Sequence, residues 1–154
     1  MKVLFFTTAY DPQMEVQRVH IEFLHRLEER GCTVGILTSQ GGPSSGPPFL
    51  WEEVEGIPVC RYALRGRPSD ALLSLLSGRL LHYDGFLTIL RRFHAYFRDN
   101  PWPDVLHVES AYPLGAVAAL ARRQVPVPSV ITVRGADLFS EPEVRFGYAR
   151  YPLV

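Results

Sequence analysis

With 154 residues, 47% apolar and 21% charged, the chain is one domain long and can bury a core without metal or disulfide support, which excludes a disordered segment. Basic and acidic side chains number 16 each, so no whole-chain field recruits nucleic acid or an anionic membrane. The charge is uneven along the chain: residues 1–60 carry eight acidic and four basic groups, and residues 61–98 carry seven arginines against Asp70 and Asp84.

The opening MKVLFFTTAYD is too short an apolar run for a signal peptide and reads as a first strand, Val3–Thr7, covered on both faces. Val16, Val19, Phe23, Leu24 and Leu27 then recur at helical spacing, and Gly31 stands where a left-handed C-terminal cap belongs. TVGILTS is a second strand, giving a strand–helix–strand unit of the length a parallel crossover needs. Residues 40–48, QGGPSSGPP, form a loop with no lysine after its glycines, so it does not read as a phosphate cradle. FLWEEVEGIPVCRYAL predicts two short strands around Glu55 and Gly56, with Pro58 favouring an edge position.

Residues 69–98 predict two helices broken near Tyr83, Asp84 and Gly85. Their leucines, aromatics and arginines admit two readings: a core-packing helix pair with a solvated arginine face, or a basic surface that contacts an anionic bilayer peripherally. VLHV is a third core strand, Tyr112–Arg123 a small-residue helix, and Ser129–Val133 a fourth strand. The closing EPEVRFGYARYPLV has no period and reads as cut rather than finished. Cys32 and Cys60 lack metal-ligand spacing and read as structural thiols of a reducing compartment.

This alternation predicts an α/β fold, an open, mostly parallel sheet with helices on both faces, in a single domain over 1–154. Ligands of such sheets sit beyond the carboxyl ends of the strands. The exits carry Thr8, Tyr10 and Asp11, then Glu109, Ser110 and Tyr112, then Arg134, Gly135 and Asp137. Carboxylates accept from hydroxyl pairs and a guanidinium forks onto phosphate or carboxylate, so the expected ligand is polyhydroxylated or phosphorylated. Competing uses stay open: Arg134 and Asp137 pairing with each other, Glu109 and Ser110 capping the next helix, and His107 as a satisfied strand histidine. No nucleophile elbow, dinucleotide fingerprint, zinc-binding helix pair or basic–aromatic interleaving for nucleic acid is present.

MKVLFFTTAYDP, LHRLEERGCTVGILTS, GIPVCRY, PDVLHVESAYPLGAVAALARR and VPSVITVRGADL, in that order, resemble the N-terminal half of a GT-B glycosyltransferase, most closely the retaining family 4. The resemblance implies a Rossmann-like domain that binds the acceptor, a sugar, glycolipid or small hydroxylated metabolite. A second domain, absent from this chain, would hold the nucleotide-sugar donor, and no metal or other cofactor would be needed. It further implies glycan or glycolipid biosynthesis in the cytoplasm or at the inner membrane surface. Tyr10, Asp11, Glu109, Ser110, Arg134, Gly135 and Asp137 are then the expected substrate-binding residues. Two departures stand out: Met14 and Glu15 replace a common glycine pair, and Arg134 stands where relatives often place a histidine. The chain alone, a truncated piece or an isolated acceptor-side domain, is expected to transfer no sugar; the rival reading is a non-catalytic α/β binding module.

Overall fold

The apolar run that follows Lys2 becomes the middle of a sheet. The computed structural model describes residues 1–11, 13–40, 46–64, 68–81 and 83–133. Strand β1 (Lys2–Thr7) pairs in parallel with β2 (Thr33–Gln40) and β5 (Val105–Glu109), and every residue from Val3 to Thr7 is buried. Outside these lie β3 (Phe49–Val54), β4 (Ile57–Ala63) and β6 (Ser129–Thr132), in the order β3-β4-β2-β1-β5-β6. Only β3 runs antiparallel, so the sheet is the open, mostly parallel one expected.

Alternation along the central strands divides the core. Phe5, Val34, Ile36 and Val59 face α1 (Glu15–Glu29), while Leu4, Phe6, Leu37, Leu106 and Val108 face α3 (Phe86–Asp99) and α4 (Ala116–Ala121). Gly31 ends α1 as the sequence predicts: its φ is +79° and its N–H bonds the Glu28 carbonyl at 2.8 Å. The face of α1 is turned from the expected one. His20, Ile21 and Leu24 are buried, whereas Val19 and Phe23 are 65% and 38% exposed. Both lie toward β6, whose four residues are exposed, so no described element covers that side.

Glu55 and Gly56, both at positive φ, make the two-residue hairpin turn whose twist suits antiparallel strands. Pro58 does not lie on the edge: β3 takes that place, and β4 runs between it and β2. The position tolerates proline because the β2 ladder begins one residue later, with Ile36 opposite Val59.

The region 69–98 divides into unlike halves. In α3 the aromatic residues Phe86, Phe93, Tyr96 and Phe97 are buried in the core. Its Arg91 and Arg92 turn to α2 (Pro68–Leu81), where Asp70 receives Arg91 Nη2 and lies 3.5 Å from Arg92 Nη2. The predicted helix from Tyr112 starts late, because Tyr112 keeps an extended backbone and residues Ala111–Gly115 form a wide turn before α4.

Both cysteines are free thiols, and they differ. Burial pushes the Cys60 thiol from its ordinary 9.0 to about 12, while Cys32 is partly exposed. Iodoacetamide at mildly alkaline pH is expected to label Cys32 quickly and Cys60 only on unfolding, since the thiolate is the nucleophile; equal rates on the folded chain would refute this. From pH 9.0 toward 12 the unfolded chain binds fewer protons at this group than the folded one, so its contribution to stability falls as pH rises.

Candidate functional site

Three parallel strands end side by side on the carboxyl edge of the sheet, and their last residues are tied together. Thr7, Glu109 and Thr132 end β1, β5 and β6, and Ser110 N–H bonds the Thr132 carbonyl at 2.9 Å. Ser39, near the end of β2, donates to the Thr8 carbonyl. The crossover helices bring these exits to one side, as the sequence predicts.

Glu109 is the centre of this edge. Thr7 Oγ1 donates to Glu109 Oε2 at 2.5 Å, and His20 Nε2 lies 2.8 Å from Oε1, with the two side chains of that pair 7% and 12% exposed. An ionised carboxylate only accepts, so Nε2 carries the imidazole proton. The two carboxylate oxygens offer four lone-pair sites in all. Glu109 is therefore held in place where the strands open, and its contacts among the described residues run to Thr7 and His20 rather than to the following helix.

Ser110 does not cap either, because its side chain makes no capping bond. Its backbone has φ 87° and ψ 143°, a region close to glycine-only that costs a serine about 1–3 kcal/mol. Its hydroxyl is buried and has no hydrogen-bond partner among the described residues. Gly115 N–H bonds the Ser110 carbonyl at 3.1 Å, and a methyl group added at Gly115 would lie 3.1 Å from that oxygen, which helps to hold the strained turn. Ser110→Gly is expected to raise stability by about 1 kcal/mol, read from urea denaturation; a loss would mean that the hydroxyl, not the backbone, matters.

Tyr10 and Asp11 take different places. The Tyr10 ring is buried with Ile21, Leu24, Ile57 and Val59 beneath α1. Burial raises its phenol to about 12, with the Glu55 carboxylate adding and Arg61 opposing. It sits in the core, not at the strand-exit surface. Asp11 is exposed and its Oδ1 accepts from Gln13 N–H at 2.9 Å, so it shapes the turn into α1. Met14 is 52% exposed at the start of that helix. Arg134, Gly135 and Asp137 lie outside the described residues, which end one position earlier at Val133.

His107 behaves as the strand histidine weighed from sequence. Its Nε2 and Thr132 Oγ1 are 2.7 Å apart, and its ring meets Phe5 and Phe23 edge-on. Sequence reasoning missed His20. Its signal was an imidazole on the same helical stripe as Leu24 and Leu27, where a buried polar group must find a partner. Between them, Phe5, Val19, His20, Phe23, His107, Glu109 and Thr132 line a pocket of about 210 Å³ that opens beside the strand ends. Among the described residues no group of three or more His, Cys, Asp or Glu could hold a metal ion. No helix among them is long and apolar enough to cross a membrane.

The family described as glycosyl transferase 4-like domain matches residues 16–153. A solved structure described as trehalose-6-phosphate from E. coli bound with UDP-2-fluoro glucose is similar in fold, with a TM-score of 0.59 and 15% identity over 94% of this chain. The catalytic domain of starch synthase IV from Arabidopsis thaliana, bound to ADP and acarbose, aligns at 0.49 and 16% identity over 84%. The chain spans 35% and 32% of those two proteins. No curated protein is significantly similar to it in sequence.

Proposed function

Because the chain belongs to the glycosyl transferase 4-like domain family, we propose that it is the acceptor-binding half of a retaining glycosyltransferase, inactive until joined to a donor-binding domain. The observation that supports this most is Glu109, a carboxylate fixed by His20 and Thr7 at the carboxyl edge of the sheet. A prepositioned carboxylate accepts from sugar hydroxyls without first giving up conformational freedom. The strained turn at Ser110, next along the chain, fits a site whose geometry is held by its surroundings.

Arg134, Gly135 and Asp137 follow β6 directly in sequence, and in this reading they complete the crevice. Arg134 offers a permanently charged fork to a phosphate or carboxylate and cannot shuttle protons. Gly135 leaves room for backbone approach, and Asp137 accepts from hydroxyls. The donor is a nucleotide sugar held by the second domain; the acceptor is a sugar, glycolipid or small hydroxylated metabolite. No metal takes part. The free thiols suit a cytoplasmic setting.

The purified 154-residue chain, incubated with UDP-glucose and simple sugars, is expected to release no UDP. In a polypeptide that continues through the donor domain, Arg134→Ala should cut transfer while leaving the melting temperature in place. Turnover by the isolated chain would sink the proposal, and a melting loss as large as that of a core truncation would make Arg134 structural.

A further inference from the structure

The rotation of α1 leaves two apolar side chains outside the core. His20 turns inward to Glu109, and that contact goes with the way the helix faces. Val19 and Phe23, four residues apart and so neighbours on the helix surface, are left 65% and 38% exposed. They form one wall of the pocket of about 210 Å³, which Phe5 and His107 complete. Glu109 and Thr132, the last residues of β5 and β6, join this pocket to the carboxyl edge of the sheet.

Most of the surface this pocket offers is carbon. His107 Nε2 and Thr132 Oγ1 face each other at 2.7 Å, and Glu109 meets His20 and Thr7. The His107 ring stands edge-on to Phe5 and Phe23, at 89° and 86° with centroids 5.0 and 5.2 Å apart, so packing sets the walls. A sugar carries hydroxyls round its rim, and pressing them against valine and phenylalanine would strip them of water without return. Size narrows the occupant further. An apolar cavity of about 150 Å³ takes up benzene, and sites that enclose a whole drug-sized ligand start at about 300 Å³, so this one has room for a single ring and holds only part of a ligand.

We propose that the pocket between α1 and β6 takes a compact apolar group, one ring in size, carried by the acceptor beside its hydroxylated part. The inference rests on the acceptor-binding reading above and narrows it: an acceptor with an aryl or similar ring substituent binds more tightly than the free sugar. Glu109 belongs to both the pocket and the strand ends, so a ring seated in the pocket holds its hydroxylated neighbour against the same carboxylate.

Amide chemical-shift titrations of the full chain with matched methyl and phenyl glycosides of glucose, galactose and mannose test the proposal. For at least one sugar the phenyl glycoside should bind about tenfold or more tightly than the methyl one, and should shift Val19, Phe23 and His107 together with Glu109 and Ser110. Val19→Asn, an exposed change, and Phe23→Ala should each reduce that advantage, the first at an unchanged melting temperature. Methyl and phenyl glycosides that shift the strand ends with equal affinity would overturn the inference and leave the acceptor-binding reading standing. No shift at the strand ends with any glycoside would defeat that reading and the inference with it. A phenyl advantage that survives both substitutions would place the ring elsewhere and overturn the inference. So would a core-sized melting loss in Val19→Asn, which would mean that the chain itself fills the pocket.

Discussion

Asp70→Ala is expected to destabilise the domain by about 3–5 kcal/mol, the scale for removing one partner of a buried ion pair. Asp70 is 1% exposed and its carboxylate faces two guanidinium groups, of which Arg92 is itself 5% exposed. Arg92 keeps its bond from Nε to the Ala63 carbonyl at 3.0 Å, but its buried charge would lose the Asp70 carboxylate. The loss has a structural consequence too. α2 presents leucines outward and rests on α3, so the Asp70 contacts and the Ser77 bridge hold it in place. Urea denaturation of the wild type and the variant measures the effect, and Asp70→Asn separates shape from charge. A loss of about 1 kcal/mol or less in Asp70→Ala would show that water reaches Arg92 and that the pair is effectively superficial.

Local features of this arrangement were legible in the sequence. The continuous apolar run of β1, the glycine that ends α1 and the break at Tyr83–Gly85 each depend on residues within a few positions. The contacts that define the edge of the sheet are not local. His20 and Glu109 meet across most of the chain, and helical spacing alone favoured Val19 and Phe23 over His20 for the buried face of α1. Tyr10 illustrates the same limit: its position after a strand suggested an exposed phenol, but the hydrophobic residues under α1 take up the ring. In α2 the leucines were too many for one narrow face, yet which face turned outward depended on where Arg91 and Arg92 met Asp70.

Glu109→Gln is the second large effect, on ligand binding rather than on folding. A glutamine keeps the shape and can still bond His20 or Thr7, but it loses the charge and half the acceptor capacity. Hydrogen bonds to a charged acceptor contribute about 1.5–3 kcal/mol, so affinity for a sugar held by this group should fall by about tenfold to a hundredfold. Titration calorimetry on both proteins reads the change. Equal affinities, with the fold intact, would move Glu109 from the ligand to a purely structural role joining β1, β5 and α1.

The claim on which the account rests is that the carboxyl edge of the sheet receives a sugar acceptor. Amide chemical-shift mapping of the isotope-labelled chain, titrated with a panel of mono- and disaccharides and their phosphates, tests it most directly. At least one of these should perturb residues at the ends of β1 and β5, Thr7, Thr8, Glu109 and Ser110, together with residues 134–137. Perturbations confined to the opposite edge, or none with any sugar of the panel at millimolar concentration, would contradict it.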